Sequence, residues 1–132
     1  MKINDVVNLT IALQKLKNST LNIKDAYKIQ KMAMIVEPEI MLIHKQRHEI
    51  FEKHGCINKN TGEVAYPNKE IMKKVENDLI ELHSLETDLN ITPIDISYSD
   101  DIMLSANDLS AIDKYIKISG INNSLDEVEN NE

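Results

Sequence analysis

Apolar residues recur at helical spacing near the start of the chain. Val6, Leu9, Leu13 and Leu16 follow one another at intervals of three, four and three residues. This period predicts an amphipathic helix with one buried face. Asn4 or Asp5 is suited to cap its first turn, and the polar residues 17–20 end it.

The strongest pattern extends from about Asn22 to Lys53 and predicts a helix about 45 Å long. It consists of two apolar stripes with a heptad spacing. Pro38 interrupts it, because proline has no N–H to donate to the carbonyl of Met34. We expect a kinked but continuous helix, although Pro38 also suits the first turn of a second helical piece. The stripes contain Ile29, Val36, Ile43 and Ile50, with Ala33, Ile40 and Arg47 between them.

A third helix is predicted to fold back on the second. His54-Gly55 ends the second helix, and residues 56–67 read as a small β-hairpin or an ordered loop. Asn68 then caps a helix that is predicted to continue through Leu89. Its inward side chains are Ile71, Val75, Leu79, Leu82, Leu85 and Leu89.

The remaining chain predicts one strand and one short helix. Residues 94–98 alternate between apolar and polar, as a half-buried strand does. Residues 105–108 resemble a capping box, and the helix that follows is expected to bury Leu109, Ile112 and Ile116. From Ser119 onward the chain is rich in Asn and acids, which is typical of disorder.

These elements predict a mainly α protein with minor β structure. Its central feature is a long antiparallel helical hairpin, accompanied by a short N-terminal helix, a small β-hairpin or loop, and a short C-terminal helix. Residues 1–118 are expected to form a single helical domain, and residues 119–132 an acidic, disordered tail.

Composition limits the possible functions. The net charge is −7 and aromatic residues make up 4% of the 132 residues. Proteins that bind nucleic acid directly usually have a basic face and exposed rings, so direct binding is not expected. The single cysteine, Cys56, cannot form an internal disulfide and fits a reducing cytosol. No signal peptide and no apolar run near 20 residues is seen, so we expect a soluble, cytoplasmic protein.

The charges are distributed unevenly. Residues 1–74 hold thirteen Lys and Arg against eight Asp and Glu, whereas residues 75–113 hold ten acids and no Lys or Arg. Such a stretch produces a negative field that attracts a basic partner. The alternative is that the charge is cancelled by the more basic preceding helix. The acids expected to contact a partner are Glu76, Asp78, Glu81, Glu86, Asp88, Asp95, Asp100 and Asp101.

Candidate chemistry is sparse. His44 and His48 lie four residues apart on one helical face, and Cys56, His54 or His83 would be needed to complete a zinc site. The pattern lacks the glutamate of the HExxH motif, so two solvated histidines are the favoured interpretation. Cys56 beside His54 is a weak match to a nucleophile and its base, and a free thiol is favoured. We predict no catalytic residue, metal or cofactor, and no enzymatic activity.

Arg47 is the only arginine and lies on the apolar stripe of the long helix. We expect it to pair with Asp78 or Glu81 on the facing helix and, together with Pro38, to set the register of the hairpin. The alternative is that it grips a carboxylate or phosphate.

Four short segments carry a resemblance to a group of proteins. They are Glu52-Lys53-His54-Gly55, Thr61-Gly62-Glu63, Ile91-Thr92-Pro93-Ile94 and the segment from Leu104 to Ile112. In their order, over most of residues 5–118, they resemble small helical proteins of phages and prophages of low-GC Gram-positive bacteria. The resemblance implies a phage setting and supplies no site residues.

The leading hypothesis is a non-catalytic protein-binding module encoded by a phage or prophage. It would act as an acidic inhibitor that blocks a basic surface of a host nucleic-acid-handling or defence complex, in the manner of anti-CRISPR proteins. The alternative is a structural or assembly accessory protein of the phage that oligomerises through its helical hairpin. The expected partner is therefore a basic host protein or further copies of the chain itself.

Overall fold

A computed structural model describes residues 1–120, and the expected tail beyond Gly120 lies outside the described residues. The described part contains α1 (Ile3–Lys17), α2 (Ile23–Lys53), α3 (Lys69–Ser84), β1 (Ile94–Ser97), α4 (Ala106–Ile112) and β2 (Ile116–Ser119). This confirms the prediction of a mainly α protein with minor β structure.

The chain divides into two compact units. Unit 1 comprises Met1–Val7 and Glu37–Leu89. Unit 2 comprises Asn8–Val36 and the chain from Asn90, described to Gly120. Both α1 and α2 contribute residues to each unit.

Unit 1 contains the helical hairpin. His54, just after α2, contacts Asp78 of α3, and the charge of Arg47 acts on His83 further along α3. Residue numbers therefore rise along one helix as they fall along the other, which confirms the antiparallel arrangement. The buried apolar residues of this unit are Ile3, Val6, Ile40, Ile43, Cys56 and Val75.

The long helix α2 continues through Pro38 as a single element. The alternative of a break and restart is therefore wrong. Continuity is tolerated because Pro38 is exposed, so water can bond to the carbonyl of Met34, to which Pro38 has no N–H to donate. The predicted stripe is confirmed at Ile29, Val36 and Ile43, each about 1% exposed.

The third helix is shorter than predicted. It ends at Ser84 instead of continuing to Leu89, and Leu85 is 51% exposed instead of inward. The cause is that backbone groups that would continue the helix bond to the N-terminal residues of the chain instead. The carbonyl of Leu85 accepts from the amide of Ile3, and the amide of Thr87 donates to the carbonyl of Met1.

The loop between the hairpin helices takes the predicted compact form. Gly55 follows α2 in the left-handed region, with φ of 70°, as expected for a helix-ending glycine. Ile57 and Val64 form an antiparallel bridge, and the amide of Asn58 donates to the carbonyl of Glu63. Asn68 then caps α3 by accepting from the amide of Ile71 at 2.9 Å, as predicted.

Unit 2 contains a strand that was not predicted. The predicted burial is confirmed for Ile112 and Ile116, which are 2% and 4% exposed, but Ile116 belongs to β2 and not to a helix. The prediction is wrong for Leu109, which is 41% exposed. The strands β1 and β2 run parallel, with Ile94 opposite Ile116 and Ser97 opposite Ser119. Residues 116–119 alternate between apolar and polar as residues 94–97 do, and this alternation could have predicted the second strand. The buried apolar residues of unit 2 are Leu9, Ala12, Leu13, Leu16, Ile29, Met32, Val36, Ile91, Ile96, Ile112 and Ile116.

Candidate functional site

An acidic face with an exposed apolar residue lies on the second half of α3. Glu76 and Glu81 are exposed, and their carboxylates form no ion pair or hydrogen bond with any residue from 1 to 120. Five residues apart, they are separated by about 140° around the helix. Ile80 lies between them and is 67% exposed. These three residues are called the α3 acidic face below.

Asp78, in contrast, is held within unit 1. One of its carboxylate oxygens lies 2.8 Å from Nε2 of His54 and 3.6 Å from Nζ of Lys53. The hydrogen bond to His54 is the main cause that lowers the pKa of Asp78, and the charge of Lys53 adds to it. This side chain ties the end of α2 to the middle of α3, so its carboxylate is partly occupied by intramolecular partners.

The pairing expected for Arg47 is wrong. Asp78 is occupied by His54 and Lys53, and within the described residues Arg47 forms no ion pair with it or with Glu81. The charge of Arg47 instead acts on His83, whose pKa is lowered first by burial and second by this charge. Nε2 of His83 is buried and has no hydrogen-bond partner among residues 1–120.

The remaining acids selected from the sequence have different surroundings. Glu86 lies 3.3 Å from the amino group of Met1, whereas Asp88 is exposed without an ion pair to any described residue. In unit 2, Asp95 and Asp100 are exposed.

Asp101 accepts a hydrogen bond from the amide of Thr20 at 2.5 Å and another from the Ser99 hydroxyl. These bonds, that from Ser99 first, lower its pKa to about 2. Of the eight acids selected from the sequence, Asp78, Glu86 and Asp101 therefore already have partners, whereas Glu76, Glu81 and Asp88 are the ones in unit 1 that are open to an external partner.

The histidines and the cysteine do not assemble into a site. No group of three His, Cys, Asp or Glu able to hold a metal is found within residues 1–120. His48 lies 3.8 Å from Glu52. Cys56 is a free thiol, as predicted, and it is buried. Its Sγ donates to the backbone carbonyl of His54.

Unit 2 has an open apolar groove that sequence reasoning missed. Its volume is about 340 Å³, near the lower end of the range for pockets that hold ligands. Two lysines of α2, Lys28 and Lys31, lie at its border. The other lining residues are Tyr27, Met32, Ile35, Ile91, Thr92 and Ile94. We call it the lysine-bordered groove.

Side chains of α2 form hydrogen bonds to the backbone along the outer edge of β1, the strand beside this groove. Nζ of Lys28 donates to the carbonyl of Asp95 at 2.8 Å. The carboxylate of Asp25, a buried residue, accepts from the amide of Ser97 at 2.8 Å. Backbone groups that would otherwise attract another strand are therefore occupied. A ligand in the groove would contact side chains rather than extend the sheet.

The long helix also exposes large apolar side chains on the side opposite to its buried stripe. Tyr27, Met34 and Met41 are 67%, 61% and 64% exposed. Their spacing of seven places them on one line along α2. These exposed residues have the same heptad period as the buried stripe, but they were not predicted from the sequence.

No family model, no curated protein and no solved structure matches this chain. Among the described helices, none combines the length and the apolar character needed to cross a membrane.

Proposed function

We propose that this protein is a non-catalytic protein-binding module that uses the α3 acidic face to occupy a basic surface of a partner. The observation that carries the proposal is the exposed Ile80 between two carboxylates without intramolecular partners. An apolar anchor surrounded by charges is the arrangement typical of small protein interfaces. The charges attract the partner and the apolar side chain supplies contact area.

The partner class follows from the charge pattern. Asp88 adds a third carboxylate without an ion pair in unit 1, and residues 75–113 contain no Lys or Arg. Proteins that handle nucleic acid present basic grooves, which a negative surface can occupy in place of phosphates. In the phage setting that the sequence resemblance implies, the proposed partner is a nucleic-acid-handling or defence complex of the host.

The test is affinity purification from the lysate of a low-GC Gram-positive bacterium, followed by mass spectrometry. The wild-type protein should capture a nucleic-acid-handling protein at 50 mM salt and lose most of it at 500 mM. A triple variant, E76Q/E81Q/D88N, should lose the capture at low salt. Ile80→Ser should weaken it without changing the charge.

The matched control is E37Q/E49Q/E63Q, which removes the same number of charges from exposed acids without ion pairs to other described residues. It should capture as wild type does. The captured protein should also release its labelled nucleic acid when the wild-type protein is added. Equal capture by the two triple variants would reject the proposal.

A second function, as an assembly protein of a phage particle, is favoured by the exposed apolar line on α2. Met34 and Met41 leave apolar area that a further copy of the chain or a structural protein would cover. The double variant M34S/M41S should then reduce the oligomer mass measured by light scattering. A mass unchanged by this variant argues against it.

A further inference from the structure

The lysine-bordered groove has the chemistry to bind an apolar side chain flanked by carboxylates. Its walls include Met32, which is 3% exposed, and Ile91, which is 8% exposed. Lys31 is exposed at its border and forms no ion pair with any residue from 1 to 120. An apolar cavity next to an uncompensated ammonium group favours a ligand that brings both apolar surface and negative charge.

The basic border extends beyond the groove itself. Lys24, Lys28 and Lys31 follow one another at intervals of four and three, so they share one face of α2. None of the three forms an ion pair among the described residues, and Lys28 uses its ammonium group on the carbonyl of Asp95. This is a local basic surface on a protein whose net charge is −7.

The matching surface is present on the chain itself. The α3 acidic face offers Ile80, which is 67% exposed, between Glu76 and Glu81. We propose that this face of one copy docks into the lysine-bordered groove of a second copy. Ile80 fills the apolar part of the groove, and the two glutamates face the lysines at its border.

The two surfaces are different, so the contact is head-to-tail. Each copy that donates its α3 acidic face still has an open groove, and association therefore continues to larger species or to a closed ring. The area offered by one helix face and one groove is small, and the association is accordingly weak and dependent on concentration.

The experiment is sedimentation velocity of the purified full-length protein between 10 µM and 1 mM. The weight-average sedimentation coefficient of the wild type should rise with concentration. Reversal of one charge, as K31E or as E81K, should lower the association constant about tenfold, because an attraction becomes a repulsion. The control K45E, which reverses an exposed lysine on the same helix in the other unit, should behave as wild type.

Mixing the two variants provides the decisive measurement. K31E alone and E81K alone should associate about tenfold more weakly than the wild type, but an equimolar mixture should associate as the wild type does. In the mixture each groove meets an α3 face of opposite charge on a copy of the other variant. A mixture that associates no more strongly than either variant alone, while the wild type associates, overturns the proposal.

Apolar contact is tested separately. Ile35→Ser, in the groove, should weaken association at least about threefold, since it removes apolar area from the contact. Ile11→Ser provides the matched control, because Ile11 is similarly exposed on α1 of the same unit but does not line the groove. Equal effects of these two variants contradict a role for the groove.

Other occupants produce different outcomes. Association abolished by Leu125→Asp assigns the groove to residues 121–132 of another copy, and association abolished only by M34S/M41S assigns the contact to the exposed line on α2. Either result overturns the proposal, as does a monomeric wild type up to 1 mM. Because purified protein suffices, failure to capture a host partner leaves this inference standing.

Discussion

Replacing Asp25 by Ala removes the side chain that joins the start of α2 to β1. Asp25 is 4% exposed, and its carboxylate accepts from the amide of Ser97 at 2.8 Å and from Nδ2 of Asn22 at 2.9 Å. In the variant, the amide of Ser97 loses its acceptor in a partly buried position. We therefore expect the variant to lose stability and β1 to be less firmly held.

The magnitude follows from two losses, the hydrogen bond between the Asp25 carboxylate and the Ser97 amide and the negative charge in the first turn of α2. A hydrogen bond to a charged group contributes about 1.5–3 kcal/mol to stability. An acid in the first turn of a helix adds about 0.3–1 kcal/mol through the helix dipole. The free energy of unfolding should therefore fall by about 2–4 kcal/mol, which corresponds to a decrease in Tm of roughly 10 °C for a chain of this size.

The assays are urea denaturation followed by circular dichroism and amide hydrogen exchange. Asp100→Ala is the matched control, since Asp100 is exposed and has no hydrogen bond or ion pair to another described residue. Exchange at Ser97 should accelerate in the Asp25 variant before exchange at Tyr98, whose amide donates to the carbonyl of Ser119 in β2.

A loss of stability within about 0.5 kcal/mol of that of Asp100→Ala would refute the reasoning, because that is the range of ordinary surface substitutions. The free energy of unfolding of Asp25→Asn should lie between those of Asp25→Ala and the wild type. Its amide oxygen can take the place of Oδ2, which accepts from both Ser97 and Asn22, but it carries no negative charge to strengthen these bonds.

Three further changes test other parts of the structure. Asp108→Asn should make stability depend less on pH in acid. The salt bridge to Lys15 at 2.5 Å and the amide of Ser105 hold the Asp108 pKa below its ordinary value, so this carboxylate stabilises the fold fully above pH 4 and less as pH falls through the lowered pKa. Urea midpoints between pH 2 and 6 would show the difference. Pro38→Ala should raise the free energy of unfolding by about 1–3 kcal/mol, because the new N–H can donate inside a continuous helix, and an unchanged urea midpoint would contradict this. His83→Leu should stabilise the protein by about 1 kcal/mol at pH 7, because it removes a buried nitrogen without a described partner. Since burial holds the His83 pKa below its ordinary value, the wild type loses stability as pH falls from 7 to 5, and urea midpoints of His83→Leu should lack that part of the decrease.

Much of the helical structure could be predicted from the sequence, because it depends on local spacing. The intervals in α1, the heptads in α2 and the cap at Asn68 involve residues within one or two turns of each other. Gly55 was likewise predictable, since a residue without a Cβ adopts the left-handed conformation at low cost. The sequence showed that α3 is rich in acids, but it could not predict which carboxylates have intramolecular partners and which have none.

The sequence by itself therefore determined the helices, their buried stripes and the antiparallel return of α3 on α2. Only the tertiary structure decided which groups meet across long sequence separations. It ended α3 at Ser84 by pairing the following backbone with Met1–Ile3, and it placed β2 beside β1. It also gave Asp78 to His54 instead of Arg47, and formed the lysine-bordered groove from residues about 60 positions apart. Such contacts depend on the packing of whole elements, which periodicity and composition do not encode locally.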